Sequence, residues 1–314
     1  MFSSSSLAPI LQLLRYPRSS YVDVMRECNS FPALWTFCLP NPKSDFCTIR
    51  KFREDILLAS LFDFVEDAKE LRLLHKYYAN PTKASETFKM IRSRAECLPG
   101  KFFGDLDQFS DRLLPVWGSY HFFGIPYDIA GIFDIVTSSI HMTIYTGKGA
   151  DMKIWVARRG KNKTAYPGML DQCVSGGIDT RAGNLLKVIR REAKEEANLG
   201  SDMKDVLPVN KISFLNIRPP QAGPVDAGRP EPGVRWVFEF EVGDDVRLET
   251  NERDMEGFER MTLDQVNEAL LGKEFKPDCG LVMLDFMLRH GHIHVDHPEY
   301  KEIVAMMQRK TAVS

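Results

Sequence analysis

Three glutamates near the middle of the chain, Glu192, Glu195 and Glu196, have the spacing of side chains that share one face of a helix. Three carboxylates within one helical turn repel each other, and partial burial of any of them costs further free energy. A divalent cation such as Mg²⁺ or Mn²⁺ compensates this charge, because it prefers oxygen ligands and keeps coordination positions for water and substrate phosphates. The three glutamates therefore predict a metal site, and Gly176 and Gly177 upstream of them suit a diphosphate substrate.

The helix that carries the glutamates is predicted to begin after Asn184, a good N-cap, and to end at Asn198 or Leu199. Glu196 falls close to the apolar stripe of this helix and Glu192 borders it, which is not where a solvated surface helix places its charges. The alternative interpretation is a surface helix stabilised by salt bridges, because R-E-x-x-E-E strings occur by chance in many helices.

The same stretch resembles the Nudix box, G-x5-E-x7-R-E-U-x-E-E-x-G-U, in which U is a bulky aliphatic residue. The matching positions are Gly177, Arg191, Glu192, Glu195, Glu196 and Leu199. The resemblance implies that the helix glutamates bind Mg²⁺ and that Arg191 forms a salt bridge with a helix glutamate. It also implies a Nudix fold, in which a mixed β-sheet lies between helices.

Three positions depart from this pattern. Gly183 stands where the loop glutamate is expected, Ala193 is small for an aliphatic position, and Asn198 replaces a glycine. Asparagine tolerates a left-handed backbone better than most residues, so we expect the last change to be mild. We expect the three helix ligands to remain without the loop glutamate.

A narrower resemblance extends over most of the chain, to the Nudix subfamily labelled thiamin pyrophosphokinase-related, whose members have a helical domain ahead of the Nudix domain. It is carried by YVDVMRECNSFP, IWVARRGKNKTAYPGMLDQCVSGGI and EFKPDCGLVMLDFMLRHGHI. The resemblance implies hydrolysis of an oxidised thiamine diphosphate to the monophosphate and phosphate. The alternatives are an 8-oxo-nucleoside diphosphate phosphatase, a thiamin pyrophosphokinase-like activity, and a non-catalytic module that binds a phosphorylated metabolite, as the missing loop glutamate suggests.

Further site residues are expected on both sides of the glutamate helix. Glu256 follows the last predicted strand, where Nudix enzymes often place an acidic residue that assists a metal or the attacking water; its alternative is a solvated loop. Arg158 and Arg159 end a predicted strand and are substrate-binding candidates, since a guanidinium grips phosphate through paired hydrogen bonds. Strand alternation allows at most one of these two arginines to face the site.

The elements that must position these residues are an α/β arrangement in the second half of the chain. Strands are predicted at 139–146, 153–159, 211–219 and 235–242, and helices near 262–272 and 281–291. Residues 21–114 are mainly helical in pattern, including 48–65 and 84–98. The predicted organisation is an N-terminal extension (1–19), an α-rich N-terminal domain (20–134), a Nudix hydrolase domain (135–296) and a C-terminal tail (297–314).

Composition limits the possible partners. The net charge is −2 over 314 residues, which gives no global field for holding nucleic acid, and no run of 18 apolar residues predicts a membrane span. Six scattered cysteines without a C-x-x-C pair indicate reduced thiols. We therefore expect a cytoplasmic protein with a small-molecule diphosphate substrate. The Ser-rich first 20 residues leave a mitochondrial presequence as the alternative, and both a monomer and a homodimer stay open.

Overall fold

The computed structural model gives the positions of most of the chain from residue 135 onward and of separate segments before it. It describes residues 20–27, 35–38, 45–49, 61–65, 70–77, 79–95, 112–116, 122–130, 133, 135–199, 203, 206–224, 226–228, 230–250 and 255–307. The predicted extension (1–19) and the end of the predicted tail (308–314) lie outside the described residues.

The N-terminal part contains both helices and strands. Its helices are α1 (Tyr21–Glu27), α2 (Pro81–Ala95) and α3 (Tyr127–Ala130), and its strands are β1 (Trp35–Cys38), β2 (Asp45–Ile49), β3 (Phe62–Val65), β4 (Glu70–Leu73), β5 (Leu113–Pro115) and β6 (Gly124–Pro126). The first four strands form one sheet in the order β2-β1-β4-β3, and β5 pairs with β6.

The helical prediction for this region is confirmed within α2 and is wrong at both ends of 48–65. Strand β2 includes Thr48 and Ile49, and strand β3 covers Phe62–Val65. The stretch FDFV alternates aromatic or β-branched residues with other residues, which favours a strand in the presence of a partner. Strand β4 supplies that partner in antiparallel register, and the pairing overrides the helical spacing.

The second half of the chain forms the larger sheet and the helices around it. Its strands are β7 (Thr137–Thr146), β8 (Lys153–Arg159), β9 (Leu170–Gln172), β10 (Val174–Gly177), β11 (Pro208–Ile217), β12 (Pro230–Glu241) and β13 (Met255–Thr262), and its helices are α4 (Leu185–Ala197), α5 (Leu263–Leu271), α6 (Pro277–Arg289) and α7 (Tyr300–Met307). All four predicted strands and the helices α4, α5 and α6 are confirmed, whereas β9, β10 and β13 are absent from the sequence prediction. The prediction of a C-terminal tail from residue 297 is wrong at α7, because Ile303 of this helix is buried in the core.

The larger sheet is mixed. Its strands follow the order β11-β12-β7-β8-β13, with β10 paired to β7 and β9 paired to β8. Strands β12 and β7 run parallel, and the other pairs are antiparallel. The register places Gly177 opposite Ser139 and Ser139 opposite Arg235, so these residues share one face of the sheet.

The two faces of this sheet bury separate apolar cores. One core joins Ile140 and Met142 to Ile189 and Ala193 of α4. The other joins Ile154, Val156 and Val237 to α5 and to α6, a helix that is buried from Pro277 to Met287. The mixed sheet therefore lies between helices, as predicted.

No helix among the described residues is long and apolar enough to cross a membrane.

We expect Phe286→Ala to lower the free energy of unfolding by about 3–5 kcal/mol, because the ring is fully buried between α6 and the sheet and its removal leaves a cavity. Urea denaturation measures the change. The matched control is Val295→Ala, whose side chain is 58% exposed and should cost less than about 0.5 kcal/mol. Similar losses in both variants would contradict the burial of this helix.

Candidate active site

Helix α4 has its predicted caps. The side chain of Asn184 accepts a hydrogen bond from the Lys187 amide at 2.8 Å, and Asn198 ends the helix with φ 50° and ψ 28°, the left-handed conformation expected there. Ala193 is fully buried against the sheet. The small side chain of Ala193 lets the helix pack close to the strands. The helix therefore accommodates Ala193 and Asn198, two of the positions that depart from the Nudix box.

Glu192 lies against the main chain of β10. A Cβ atom on Gly176 would overlap the Glu192 carboxylate, so only glycine permits this approach. Arg191 donates a hydrogen bond to Oε1 of Glu192 at 2.6 Å, and its Nε lies 3.8 Å from Oε2 of Glu195. The side chain of Glu192 is 15% exposed and that of Glu195 is 62% exposed. The salt bridge that the resemblance implies for Arg191 is therefore present.

Glu196 contacts the adjacent residue of the same strand. Its Oε2 accepts a hydrogen bond from the Ser175 amide at 2.6 Å. Strand β10 is paired on its other side with β7. Two glutamates of one helix, Glu192 and Glu196, thus meet β10 at neighbouring residues.

The donor chemistry of α4 fits a hard divalent cation, since it offers carboxylate oxygens beside a strand without side-chain bulk. As placed, however, Glu192 is turned to Arg191 and Glu196 to Ser175. No group of three or more His, Cys, Asp or Glu side chains in the described part of the chain is arranged to hold a metal ion. A cation bound by these carboxylates would compete with Arg191 and the Ser175 amide for their oxygens.

The turn between β10 and α4 has a glycine, Gly183, where the loop glutamate is expected. Gly183 has φ +71°, a conformation that a glutamate adopts only with strain. In the same turn, burial opposes ionisation of Asp179, but hydrogen bonds from Arg181 and the charges of Arg181 and Arg112 lower its pKa. The turn therefore retains a carboxylate, at a different position.

A cavity of about 230 Å³ opens beside Gly176 and Gly177. Its charged lining residues are Arg112, Arg159, Arg218, Arg235, Lys276, Asp226, Glu231 and Asp278; the others include Tyr127, Tyr166, Ser139, His141 and Ser175. Five cationic side chains against three carboxylates give the lining an excess of positive charge. The cavity is suited to an anionic ligand that reaches the edge of α4.

Of the two predicted phosphate-binding arginines, Arg159 lines the cavity and Arg158 does not. Arg159 donates to Asp171 Oδ2 at 2.7 Å and to the carbonyls of Ala165 and Tyr166. Arg158 donates to Glu259 at 2.6 Å instead. These contacts are consistent with the expectation that at most one of the two arginines faces the site. Arg158 has no contact in the cavity that would support phosphate binding.

Glu256 lies apart from the cavity. It is exposed on β13, a strand that the sequence prediction lacks. The hydrogen bond that Arg158 donates to Glu259 is the main cause of the raised pKa of Arg158; burial acts against it, and the charge of Glu256 makes a smaller contribution in the same direction. Glu256 does not line the cavity. The role assigned to Glu256 therefore has no contact in the cavity to support it.

A buried network of charges forms the base of the cavity. Arg235 donates to Asp278 at 2.9 Å, and Lys276 lies 3.3 Å from the same carboxylate. Burial alone would raise the pKa of Asp278, but the charges of Lys276 and Arg235 hold it well below its usual range. Each buried charge has a partner, which is the condition under which such groups are tolerated.

A second part of this network contains a thiol and an imidazole. The Cys279 thiol donates to Asp171 at 2.8 Å, and burial with the nearby carboxylates raises the pKa of the thiol. Burial lowers the pKa of His141 to about 3, against the opposing charge of Asp278, so its ring is neutral at pH 7. A protonated thiol and a neutral imidazole offer hydrogen bonds here, and the thiol is not a nucleophile.

Several cavity residues are missing from the sequence prediction. Tyr166 lines the cavity with a left-handed backbone, φ 53°. Arg218 and Asp226 lie between β11 and β12, and Glu231 lies at the start of β12. Lys276 belongs to the KPDCG stretch, which resembles the thiamin pyrophosphokinase-related subfamily. Trp155, in contrast, lies in the core beside α4.

No protein-family model matches the sequence. An uncharacterized protein of Saccharomyces cerevisiae is 31% identical over 194 residues, which cover 58% of this chain and 55% of that protein. Nudix hydrolase 20, chloroplastic, of Arabidopsis thaliana is 27% identical over 230 residues, or 70% of this chain and 58% of that protein. Nudix hydrolase 24, chloroplastic, of the same plant is 26% identical over 205 residues. The chain spans little more than half the length of these relatives.

Solved structures to which the chain is similar include a protein of Deinococcus radiodurans, with 23% sequence identity and a TM-score of 0.35. The match covers 47% of this chain and 82% of that chain. Another is the Nudix domain of NrtR from Shewanella oneidensis, crystallised with ADP-ribose, with 11% identity and a TM-score of 0.37 over 49% of this chain and 88% of that chain.

We expect His141 to make the stability of the protein depend on pH. The pKa of His141 is lowered from 6.5 to about 3 in the folded protein, so unfolding between these values takes up a proton and the free energy of unfolding falls as the pH falls. From pH 7 to pH 5 this loss amounts to about 2 kcal/mol, and the variant His141→Asn should lack it.

Urea denaturation of both proteins at the two pH values measures the difference. The control is His294→Asn, whose side chain is 71% exposed and should leave the pH dependence of the wild type unchanged. An equal pH dependence in His141→Asn and the wild type would show that the ring is not held neutral.

Proposed function

We infer that the chain belongs to the Nudix hydrolase family, and we propose that it is a metal-dependent hydrolase that cleaves a diphosphate linkage. The sequence similarity to two plant Nudix hydrolases supports the family. The observation that carries the activity is the position of Glu192, which Arg191 holds against Gly176 at the edge of a cationic cavity. This arrangement joins oxygen ligands for a cation to a pocket suited to phosphates.

Mg²⁺ or Mn²⁺ bound by Glu192, Glu195 and Glu196 would neutralise the phosphates and lower the pKa of a bound water. The chain itself supplies the remaining functions. Arg191 restrains Glu192, and the cationic cavity beside Gly176 and Gly177 orients the substrate. A carboxylate of α4 accepts the proton of the attacking water, whose oxygen bonds to phosphorus as the P–O bond of the diphosphate breaks.

The helix glutamates are better placed for the role of base than Glu256. The Glu192 carboxylate lies at Gly176 and the Glu196 carboxylate at Ser175, and both of these strand residues line the cavity. Glu256, in contrast, is exposed on β13. A general base must come within hydrogen-bond reach of the proton that it removes, directly or through one water. We therefore assign Glu256 no direct role.

We further propose an oxidised thiamine diphosphate as the substrate, with the monophosphate and inorganic phosphate as products. The support is the resemblance of the stretches around Tyr166 and Lys276 to the thiamin pyrophosphokinase-related subfamily, and both residues line the cavity. Tyr127 and Tyr166 line the cavity, and aromatic side chains favour packing against a heterocycle. An 8-oxo-nucleoside diphosphate shares the diphosphate and a heterocycle and is the second candidate.

We expect Glu196→Gln to lower kcat by at least about a hundredfold with Mg²⁺, because an amide replaces a carboxylate ligand of the cation. Glutamine keeps an oxygen that accepts the hydrogen bond from the Ser175 amide, so the fold should be preserved. Phosphate release measures activity, and thermal denaturation checks the fold. Glu268→Gln, the same change at an exposed position of α5, should keep wild-type turnover. Unchanged turnover in Glu196→Gln would refute the role of α4.

We expect the wild type to release phosphate faster from oxidised thiamine diphosphates than from 8-oxo-nucleoside diphosphates when both are assayed with Mg²⁺. Removal of the cation with EDTA should abolish both reactions. Faster phosphate release from the 8-oxo-nucleoside diphosphates would favour the nucleotide substrate.

Calorimetry on the same compounds identifies a binding module, because tight binding without phosphate release would contradict the hydrolase. Incubation with thiamine and ATP tests for a kinase-like activity.

A further inference from the structure

Strands β5 and β6, which precede the larger sheet in sequence, dock on the turn between β10 and α4. The Thr180 amide in this turn donates to the carbonyl of Leu113 on β5 at 3.0 Å. A Cβ atom on Gly124 of β6 would lie 2.7 Å from the side chain of Thr180. The β5–β6 pair therefore contacts the connection that leads directly into the glutamate helix.

Arg112, immediately before β5, extends from this pair into the cavity. Its carbonyl accepts a hydrogen bond from the Tyr127 amide at 3.0 Å, and its guanidinium lies 5.3 Å from the centre of the Tyr127 ring. A Cβ atom on Gly177 would overlap this guanidinium. The absence of a side chain at Gly177 thus allows the arginine to lie on the main chain of β10.

Arg112 and Glu192 contact adjacent residues of β10. Glu192 lies against Gly176, and Arg112 lies against Gly177. The charge of Arg112 also contributes to the lowered pKa of Asp179, although burial has the opposite effect and hydrogen bonds from Arg181 contribute more. The guanidinium of Arg112 therefore lies on Gly177, next to the glycine that Glu192 contacts.

Four further cations line the cavity and form ion pairs with carboxylates. Arg159 pairs with Asp171 at 2.7 Å, Arg218 with Asp226 at 2.7 Å, and both Arg235 and Lys276 with Asp278. These pairs build the base and walls of the cavity. They lie on residues of the larger sheet and of the segments that follow it, whereas Arg112 comes from the N-terminal part.

We propose that Arg112 binds the diphosphate of the substrate, so that the β5–β6 pair completes the active site from outside the larger sheet. This proposal rests on the proposed function, because it assigns a ligand to the same site. A planar guanidinium forms two parallel hydrogen bonds with phosphate oxygens, which an ammonium at this position cannot reproduce. Because Glu192 contacts Gly176 and Arg112 contacts Gly177, a diphosphate bound at these two glycines would lie near both the guanidinium and the carboxylates of α4 that would hold the cation.

The test compares Arg112→Met and Arg112→Lys with the wild type. We expect KM to rise about 10- to 100-fold in Arg112→Met and by a smaller factor in Arg112→Lys, with kcat within about threefold of the wild type, because a charge-assisted bond to the ground-state phosphate is lost. Calorimetry with methylenediphosphonate and Mg²⁺ should show the same order of weakened binding. Arg247→Met is the control, because this exposed arginine donates to the carbonyls of Asp244 and Val246 and does not line the cavity.

An unchanged KM and an unchanged affinity for methylenediphosphonate in Arg112→Met would overturn the proposal. If Arg112→Met fails to fold, as judged by thermal denaturation, Arg112→Lys decides the question, since it keeps the charge but loses the paired hydrogen bonds. A wild type that binds methylenediphosphonate without hydrolysing any diphosphate would refute the proposed activity alone. The loss of binding in the variants would then still support the assignment of Arg112.

Discussion

Charge compensation around the carboxylates of α4 is the constraint on which the site depends. The helix presents Glu192, Glu195 and Glu196 within one turn, and two of them are drawn against the main chain of β10. Arg191 and the Ser175 amide supply part of the compensation within the protein. The crowding is tolerated because the helix packs closely through Ala193 and because β10 has no side chain at Gly176.

In the cavity next to β10, the charges that need compensation are cations, and carboxylates supply it. Its buried cations, Arg235 and Lys276 among them, are held by carboxylates behind and beside them, and these pairs keep Asp171 and Asp278 ionised despite their burial. Because the carboxylates fix the cations in place before any ligand enters, little reorganisation is needed when an anion binds. The neutral ring of His141 and the protonated thiol of Cys279 add hydrogen-bonding groups without adding charge.

The N-terminal part is connected to this site through β5 and β6. The hydrogen bond from Thr180 to Leu113 and the position of Arg112 on Gly177 both lie at the start of the turn that leads into α4. The two adjacent glycines of β10 are thus required for different reasons, one for contact with a carboxylate and one for contact with a guanidinium. Gly176 leaves room for the Glu192 carboxylate, and Gly177 leaves room for the Arg112 guanidinium.

The sequence by itself determined the local features of this protein. The spacing of the α4 glutamates, the cap at Asn184, the left-handed end at Asn198 and four strands of the larger sheet follow from side-chain periodicity and capping chemistry, which act within a few residues. Strand β10 was not predictable in this way, since VSGG has a low strand preference and forms only through its pairing with β7. The cavity was decided by the tertiary structure alone, because it joins Arg112, His141, Arg218 and Lys276 from distant segments. Their opposite charges and close packing exist only once the sheet has brought those segments together.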